Sequence, residues 1–281
     1  MSTRRGLCVG INKFANIPSS NWLSGCVNDA HDMAALLKDD YGFGSRDVRV
    51  LTDAKATKAA VIDHLEELVS AAEAGRLEHL VFSYSSHGTQ VPDTSGDEAD
   101  RVDEALVAYD MAEAGDSWDL DTVVVDDELH AMFDRVPAGV LVEVFLDTCH
   151  SGTGLRAMDL LPGRRPKFLP PPTPAGLDAV ADLDSVSLVD GTGRRRSSVP
   201  RGPVLFAACR SDQTASDARF AGRFNGAFTY FLIERLRLQA AAPRSTVAKD
   251  VRARLRTQRF SQSPQLESRA TAREAAVGQL A

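Results

Sequence analysis

A chain of 281 residues, 43% hydrophobic and 25% charged, can bury a sizeable core and has the charge content of an ordinary soluble globular protein. Its net charge of −7 argues against nucleic acid or an acidic membrane surface as its main partner. Four scattered cysteines with no CxxC pair argue against a zinc site or a disulfide framework, and no run approaches a membrane span or a signal peptide, so the expected setting is reducing and cytoplasmic.

Gly6 to Ile11 reads as a short strand, placed so early that it leaves no room for an adaptor domain ahead of it. Cys26 leads into a helix to about Tyr41, which Asn28 or Asp29 could cap and Gly42 would stop. Val48 to Leu51 is a second strand. Thr57 to Ala74 is an amphipathic helix, with Val61, Leu65, Leu68 and Val69 on one stripe and Gly75 at its end. A third apolar run ends in Ser85-Ser-His87-Gly88. The β-α-β-α-β order predicts a parallel sheet covered by helices.

Val91 to Trp118 is long, acidic and poor in strand signals. Val125 to Arg135 reads as a helix with Asp126 as its cap. Leu141 to Leu146 is an apolar run with one charge, Glu143, suited to a strand buried on both faces, and Asp147-Thr-Cys149 follows at once. Residues 156–202 are rich in proline and arginine and read as a flexible loop within one domain covering 1–281. Pro203 to Ala208 resumes as a strand. Helices follow at Asn225–Leu238 and Thr246–Phe260, with the arginines from Arg235 to Arg259, Arg244 among them, expected on their solvated faces, and an edge strand near Pro264–Leu266.

Ligands bind beyond the carboxyl ends of strands in open α/β sheets. Two parallel strands ending at one edge would bring His87 and Cys149 together, the minimum apparatus for a thiol nucleophile. A buried cysteine is more often a small core hydrophobe, and a single histidine more often a hydrogen-bonding residue, so spacing alone leaves both readings open.

Gly-Cys-Val-Asn-Asp-Ala (25–30), Ser-Ser-His-Gly (85–88), Gly-Asp-Glu-Ala-Asp…Asp-Glu (96–104), Val-Asp-Asp-Glu-Leu (125–129) and Asp-Thr-Cys-His-Ser-Gly (147–152) stand in the order seen in metacaspases. Ala208-Cys-Arg-Ser-Asp-Gln-Thr-Ala-Ser-Asp217 and Asn225-Gly-Ala-Phe-Thr229 match the same pattern. From about Gly6 to Leu266 the chain resembles a bacterial, prodomain-free metacaspase of the type I kind, an orthocaspase.

The resemblance implies a three-layer α/β/α caspase-hemoglobinase fold with a mostly parallel sheet of about six strands. It implies a monomeric cysteine endopeptidase acting on proteins or peptides after Arg or Lys. Cys149 would be the nucleophile and His87 its partner. Asp29, Ser85 and Asp147 would form the basic-residue pocket, and Asp103, Asp126 and Asp127 would bind calcium. Taken apart from the family, Asp29 reads equally as a helix cap and Asp147 as a strand-end acceptor, but two carboxylates beside the nucleophile would select a cation.

The chemistry calls for an oxyanion hole, expected from the N–H groups of Gly88 and Cys149, and for no third carboxylate. Two departures from the family pattern stand out. Ser86 replaces a glycine and could crowd the substrate backbone or shift His87. Arg156 stands where a further Asp is usual, with Asp159 the nearest substitute. Arg164, Arg165, Lys167, Arg194, Arg195, Arg196 and Arg201 are candidate self-cleavage sites. The rivals are an inactive caspase-like scaffold that binds peptides, disfavoured by the intact Cys–His pair, and another thiol hydrolase on the same sheet, disfavoured by the pocket carboxylates.

Overall fold

The computed structural model describes residues 3–92, 102–149, 163–173 and 202–281. Strand β1 (Arg4–Gly10) is followed by α1 (Cys26–Asp39), β2 (Val48–Thr52), α2 (Lys58–Glu73) and β3 (His79–Ser85). Next come β4 (Gly88–Pro92), β5 (Val102–Val107), β6 (Glu113–Ala114), β7 (Ser117–Trp118), β8 (Val123–Val125), α3 (Asp126–Asp134) and β9 (Leu141–Asp147). After β10 (Arg165–Pro166) stand β11 (Val204–Ala207), β12 (Ser216–Phe220), β13 (Arg223–Gly226), α4 (Ala227–Leu238), α5 (Arg244–Thr257), β14 (Gln265–Glu267) and α6 (Ala270–Glu274).

Six strands form the central sheet in the order β14-β11-β9-β3-β1-β2. All its pairings are parallel except the edge pair β11–β14. Alternation with period two sorts the side chains. Leu80, Phe82 and Tyr84 of β3 and Val142, Val144 and Leu146 of β9 pack in one cluster with Val61 and Leu65 of α2 and Leu129 and Phe133 of α3. Val81 and Phe145 pack in a second cluster with Met33 and Leu37 of α1, Phe228 and Leu232 of α4 and Val251 of α5. The layers are therefore helix, sheet and helix, as the resemblance implied. Among the described residues no helix is long and apolar enough to cross a membrane.

Three expectations are corrected. The acidic stretch after Val91 is not poor in strands, since β4, β5 and β8 form an antiparallel sheet. Charge hid the pattern because β5 buries Asp103 along with Ala105, Leu106 and Val107. Asp126 is the first residue of α3 rather than its cap, and the Glu128 carboxylate instead accepts from the Val125 N–H at 3.0 Å.

The third correction is Arg244, expected on a solvated face, which is fully buried. Its guanidinium lies 2.8 Å from Glu143, the acidic residue in the middle of β9, whose other oxygen is 2.9 Å from His79 Nε2. The Gly278 N–H also donates to this carboxylate at 3.0 Å. Replacing Glu143 leaves a buried guanidinium that keeps the Ala272 and Gln279 carbonyls but has lost its countercharge. Glu143→Leu is expected to cost about 3–5 kcal/mol in urea unfolding, and Glu143→Leu with Arg244→Met to recover much of it.

Candidate active site

Ser85 and Asp147 stand opposite each other in the β3–β9 register, at the carboxyl ends of their strands. Both occupy odd positions, so they share the face that carries Val81 and Phe145 and meets α1 and α4. Asp29 enters from α1. The helix starts after Gly25 with no side-chain cap, so the capping reading of Asp29 fails. Its carboxylate accepts from Ser85 Oγ at 2.7 Å, Asn225 Nδ2 at 2.9 Å and the Gly226 N–H at 2.9 Å. Asp147 Oδ2 accepts from the Thr229 N–H at 3.0 Å and Thr229 Oγ1 at 2.7 Å, which satisfies a donor in the first turn of α4. Its expected role as a strand-end acceptor and its place beside Asp29 are therefore compatible.

The space between the two carboxylates holds Lys167. Its Nζ lies 3.3 Å from Asp29 Oδ2, 2.9 Å from Ser85 Oγ and 3.1 Å from Asp147 Oδ1. A Cβ on Gly226 would fall on Asp147 Oδ2 and on Lys167 Nζ, so only glycine leaves room there. Burial opposes charge on Lys167, but Asp147, Asp29 and Asp217 outweigh it and hold its pKa well above the ordinary value. Burial pushes the Asp29 carboxyl up, with Asp147 adding to the effect and Lys167 opposing it.

The backbone around Lys167 is equally fixed. The Lys167 N–H donates to the Ala215 carbonyl at 2.9 Å, and its own carbonyl accepts from the Gly88 N–H at 2.8 Å. Upstream, Arg165 and Pro166 pair antiparallel with Asp217 and Ser216. Arg165 Nη1 donates to the carbonyls of Ser20 and Trp22 at 3.1 and 2.7 Å. Downstream, Phe168 and Leu169 are buried, and the Leu169 N–H donates to the Gly88 carbonyl at 2.9 Å. Within the stretch expected to be a flexible loop, Arg165–Pro166 pair with β12, the chain bends at Lys167, and Phe168 makes a parallel bridge to Gly88 of β4. The rest of 156–202, apart from 163–173 and Gly202, lies outside the described residues, as do the candidate sites Arg194, Arg195, Arg196 and Arg201 and the positions Arg156 and Asp159.

Cys149 and His87 follow the ends of β9 and β3, and both are buried under this segment. A Cβ on Gly88 would fall on the Cys149 carbonyl, which shows how closely the two strand ends approach. Cys149 Sγ accepts from the Ala215 N–H at 2.7 Å. His87 Nε2 lies 2.7 Å from the Asn21 carbonyl, so that nitrogen carries the hydrogen and Nδ1 keeps the basic lone pair. Nδ1 is buried with no hydrogen-bond partner among the described residues. The ring packs on Phe14 at 5.4 Å. Burial lowers the His87 pKa to about 4, with Lys167 adding to the effect, so the imidazole is neutral while the segment is seated. The Asn21 carbonyl orients the ring through its hydrogen bond with Nε2. Ser86, the feared intrusion, donates to the Val107 carbonyl at 2.9 Å and is tied to β5.

Cys209 is a neighbour that the sequence did not single out. A hydrogen bond with Cys149 and burial push its thiol well up. Asn225, Gly226 and Thr229 were visible only as a motif without a role. The hairpin that delivers them turns at Ala221 and Gly222, with φ of 47° and 90°, between the paired Phe220 and Arg223. That two-residue turn was the available signal.

Asp103, Glu104 and Asp127 lie close enough to Asp126 to add to burial in raising its pKa to about 7. Among the described residues, however, no three His, Cys, Asp or Glu side chains are placed to hold a metal ion.

A family model described as "Metacaspase, peptidase C14 domain" matches residues 4–159. Metacaspase-1 of Cryptococcus neoformans var. neoformans serotype D is 29% identical over 296 residues, covering 94% of this chain and 62% of the relative. Metacaspase-1 of Kluyveromyces lactis is 29% identical over 295 residues, covering 94% and 65%. The chain thus spans less than two thirds of these relatives. Among solved structures, a Geobacter sulfurreducens protein aligns with a TM-score of 0.68 at 23% identity, covering 98% of each chain. Caspase-1 from Spodoptera frugiperda aligns with a TM-score of 0.55 at 16% identity, covering 95% of this chain and 87% of its own. At these identities the structural likeness speaks for the fold alone.

Proposed function

The chain belongs to the metacaspase, peptidase C14, family, and from that premise we propose that it is a cysteine endopeptidase that cleaves after Lys or Arg and first cuts itself between Lys167 and Phe168. One observation carries the reading. The Lys167 ammonium is seated on Asp29, Ser85 and Asp147 while the Lys167 carbonyl receives the Gly88 N–H. A residue held by its cation and its carbonyl beside a thiol has the posture of a substrate's last residue before the scissile bond.

The proposed steps use these groups in turn. His87 takes the Cys149 thiol proton through its free nitrogen, and the thiolate sulfur attacks the Lys167 carbonyl carbon. The oxygen gathers charge in front of the Gly88 N–H, and the Cys149 N–H is the expected second donor. His87 returns the proton to the Phe168 nitrogen as the C–N bond breaks, which leaves a thioester on Lys167. Water, deprotonated by His87, then releases the Lys167 carboxylate and restores the thiol. Departure of the segment opens the pocket to other proteins or peptides with a basic residue at the same place.

The test is a set of fluorogenic peptides ending in Lys, Arg or Asp. Cleavage after Lys and Arg, lost in Cys149→Ala, is the expected result. Cleavage after Asp alone, or of none, overturns the reading. Calcium stimulation is carried by the family resemblance and is tested by adding calcium or chelator to the same assay. The described acidic residues do not complete a site, so no step above runs through the metal.

His87 supplies a second check. In intact Cys149→Ala protein its imidazole should stay neutral down to about pH 4, because burial disfavours the cation. Once a protease opens the segment, its pKa should rise towards the ordinary value near 6.5. An NMR titration of the ring protons reads both, and an unchanged value after cleavage contradicts the covered-site account.

A further inference from the structure

We infer that the cleft carries a separate guanidinium site for the fourth residue ahead of the scissile bond, built by the Phe260 ring and the carbonyls of Gln258 and Arg259. The inference rests on the proposed seating of Lys167 as the residue before the cut.

Counting back from Lys167, the fourth residue is Arg164. Its guanidinium carbon stands 3.7 Å from the centroid of the Phe260 ring. Its Nη1 donates to the Arg259 carbonyl at 2.7 Å and its Nη2 to the Gln258 carbonyl at 2.8 Å. Both acceptors lie just past the end of α5, where the peptide dipoles leave partial negative charge. Arg259 takes a φ of 59°, the left-handed turn that closes many helices. Phe260 is held from behind by Phe220 at 5.9 Å and Phe231 at 6.4 Å, so the platform is fixed. Phe220 belongs to β12, the strand on which Arg165 and Pro166 pair, so the site continues the cleft.

The site fits arginine better than lysine. A planar fork can satisfy two carbonyls and stack on the ring at once, whereas an ammonium cannot do both. Nothing in it is specific to residue 164 as such: the acceptors are backbone atoms and the platform is an aromatic face. A second protein presenting arginine at the same spacing meets the same groups. The substrates so selected carry basic residues first and fourth before the cut.

The test uses the full chain after it has cut itself, with fluorogenic peptides Arg-Arg-Pro-Lys, Lys-Arg-Pro-Lys, Ala-Arg-Pro-Lys and Arg-Arg-Pro-Ala. Exchanging the fourth residue from Arg to Ala should lower kcat/KM about fivefold, with Lys in between. Phe260→Leu should shrink that ratio to about half, because the ring is lost while the two backbone carbonyls remain. The ratio is measured within one preparation, so a reduced folded fraction does not affect it. Equal rates for Arg and Ala at the fourth position overturn the inference and leave the peptidase reading standing. So does an arginine preference that persists undiminished in Phe260→Leu. Cleavage of no peptide, or of Arg-Arg-Pro-Ala as well as of the others, overturns the underlying reading with it.

Discussion

Cys149→Ala should accumulate as an intact chain and should release no product from Lys- or Arg-ended peptides. The expected loss is at least about 10⁴-fold in kcat, because the substitution removes the atom that forms the acyl bond and leaves only binding and the oxyanion donors. The fold should tolerate it. Cys149 is fully buried with its sulfur bonded to the Ala215 N–H, so the variant loses that contact and a little volume, a cost of about 1–2 kcal/mol. A melting curve and an electrophoretic time course separate the two effects. A variant that melts normally yet fragments like the wild type would remove Cys149 from the chemistry.

Asp147→Asn should produce the second large effect. The substitution keeps the shape and an oxygen that can still accept from Thr229, but removes one of the two charges that face the Lys167 ammonium. Breaking a buried ion pair on one side costs about 3–5 kcal/mol, or roughly 10²- to 5 × 10³-fold in kcat/KM for Lys- and Arg-ended peptides. A purely structural role for Asp147 would lower the rate for every peptide alike. The pocket role predicts a selective loss, so the ratio of a Lys-ended peptide to its uncharged norleucine counterpart should collapse towards one. An unchanged ratio would place the basic-residue pocket elsewhere.

Much of this architecture could be read directly from the residues. The run Leu141–Leu146 is apolar enough to demand burial on both faces, and its end places Cys149 at a sheet edge. The same argument places His87, and the resemblance added Asp29, Ser85 and Asp147. What stayed hidden depends on contacts between distant segments. Lys167 looked like one basic residue in a proline-rich loop because its partners come from α1, β3, β9 and β12, and no local pattern marks such a meeting. Arg244 looked solvated because its acceptor, Glu143, lies 101 residues earlier in the chain. Strand β5 was missed because it buries an aspartate where alternation calls for an apolar residue. Asp29 had the type and position of a cap, and only the approach of Ser85, Asn225 and Gly226 gives its carboxylate other donors.

The most direct measurement is the amino-terminal sequence and mass of the fragments that form when the purified full chain is incubated. The account predicts one first cut, with fragments ending at Lys167 and beginning at Phe168, and none in Cys149→Ala under the same conditions. A first cut at another bond, or the same fragments from the alanine variant, would contradict it.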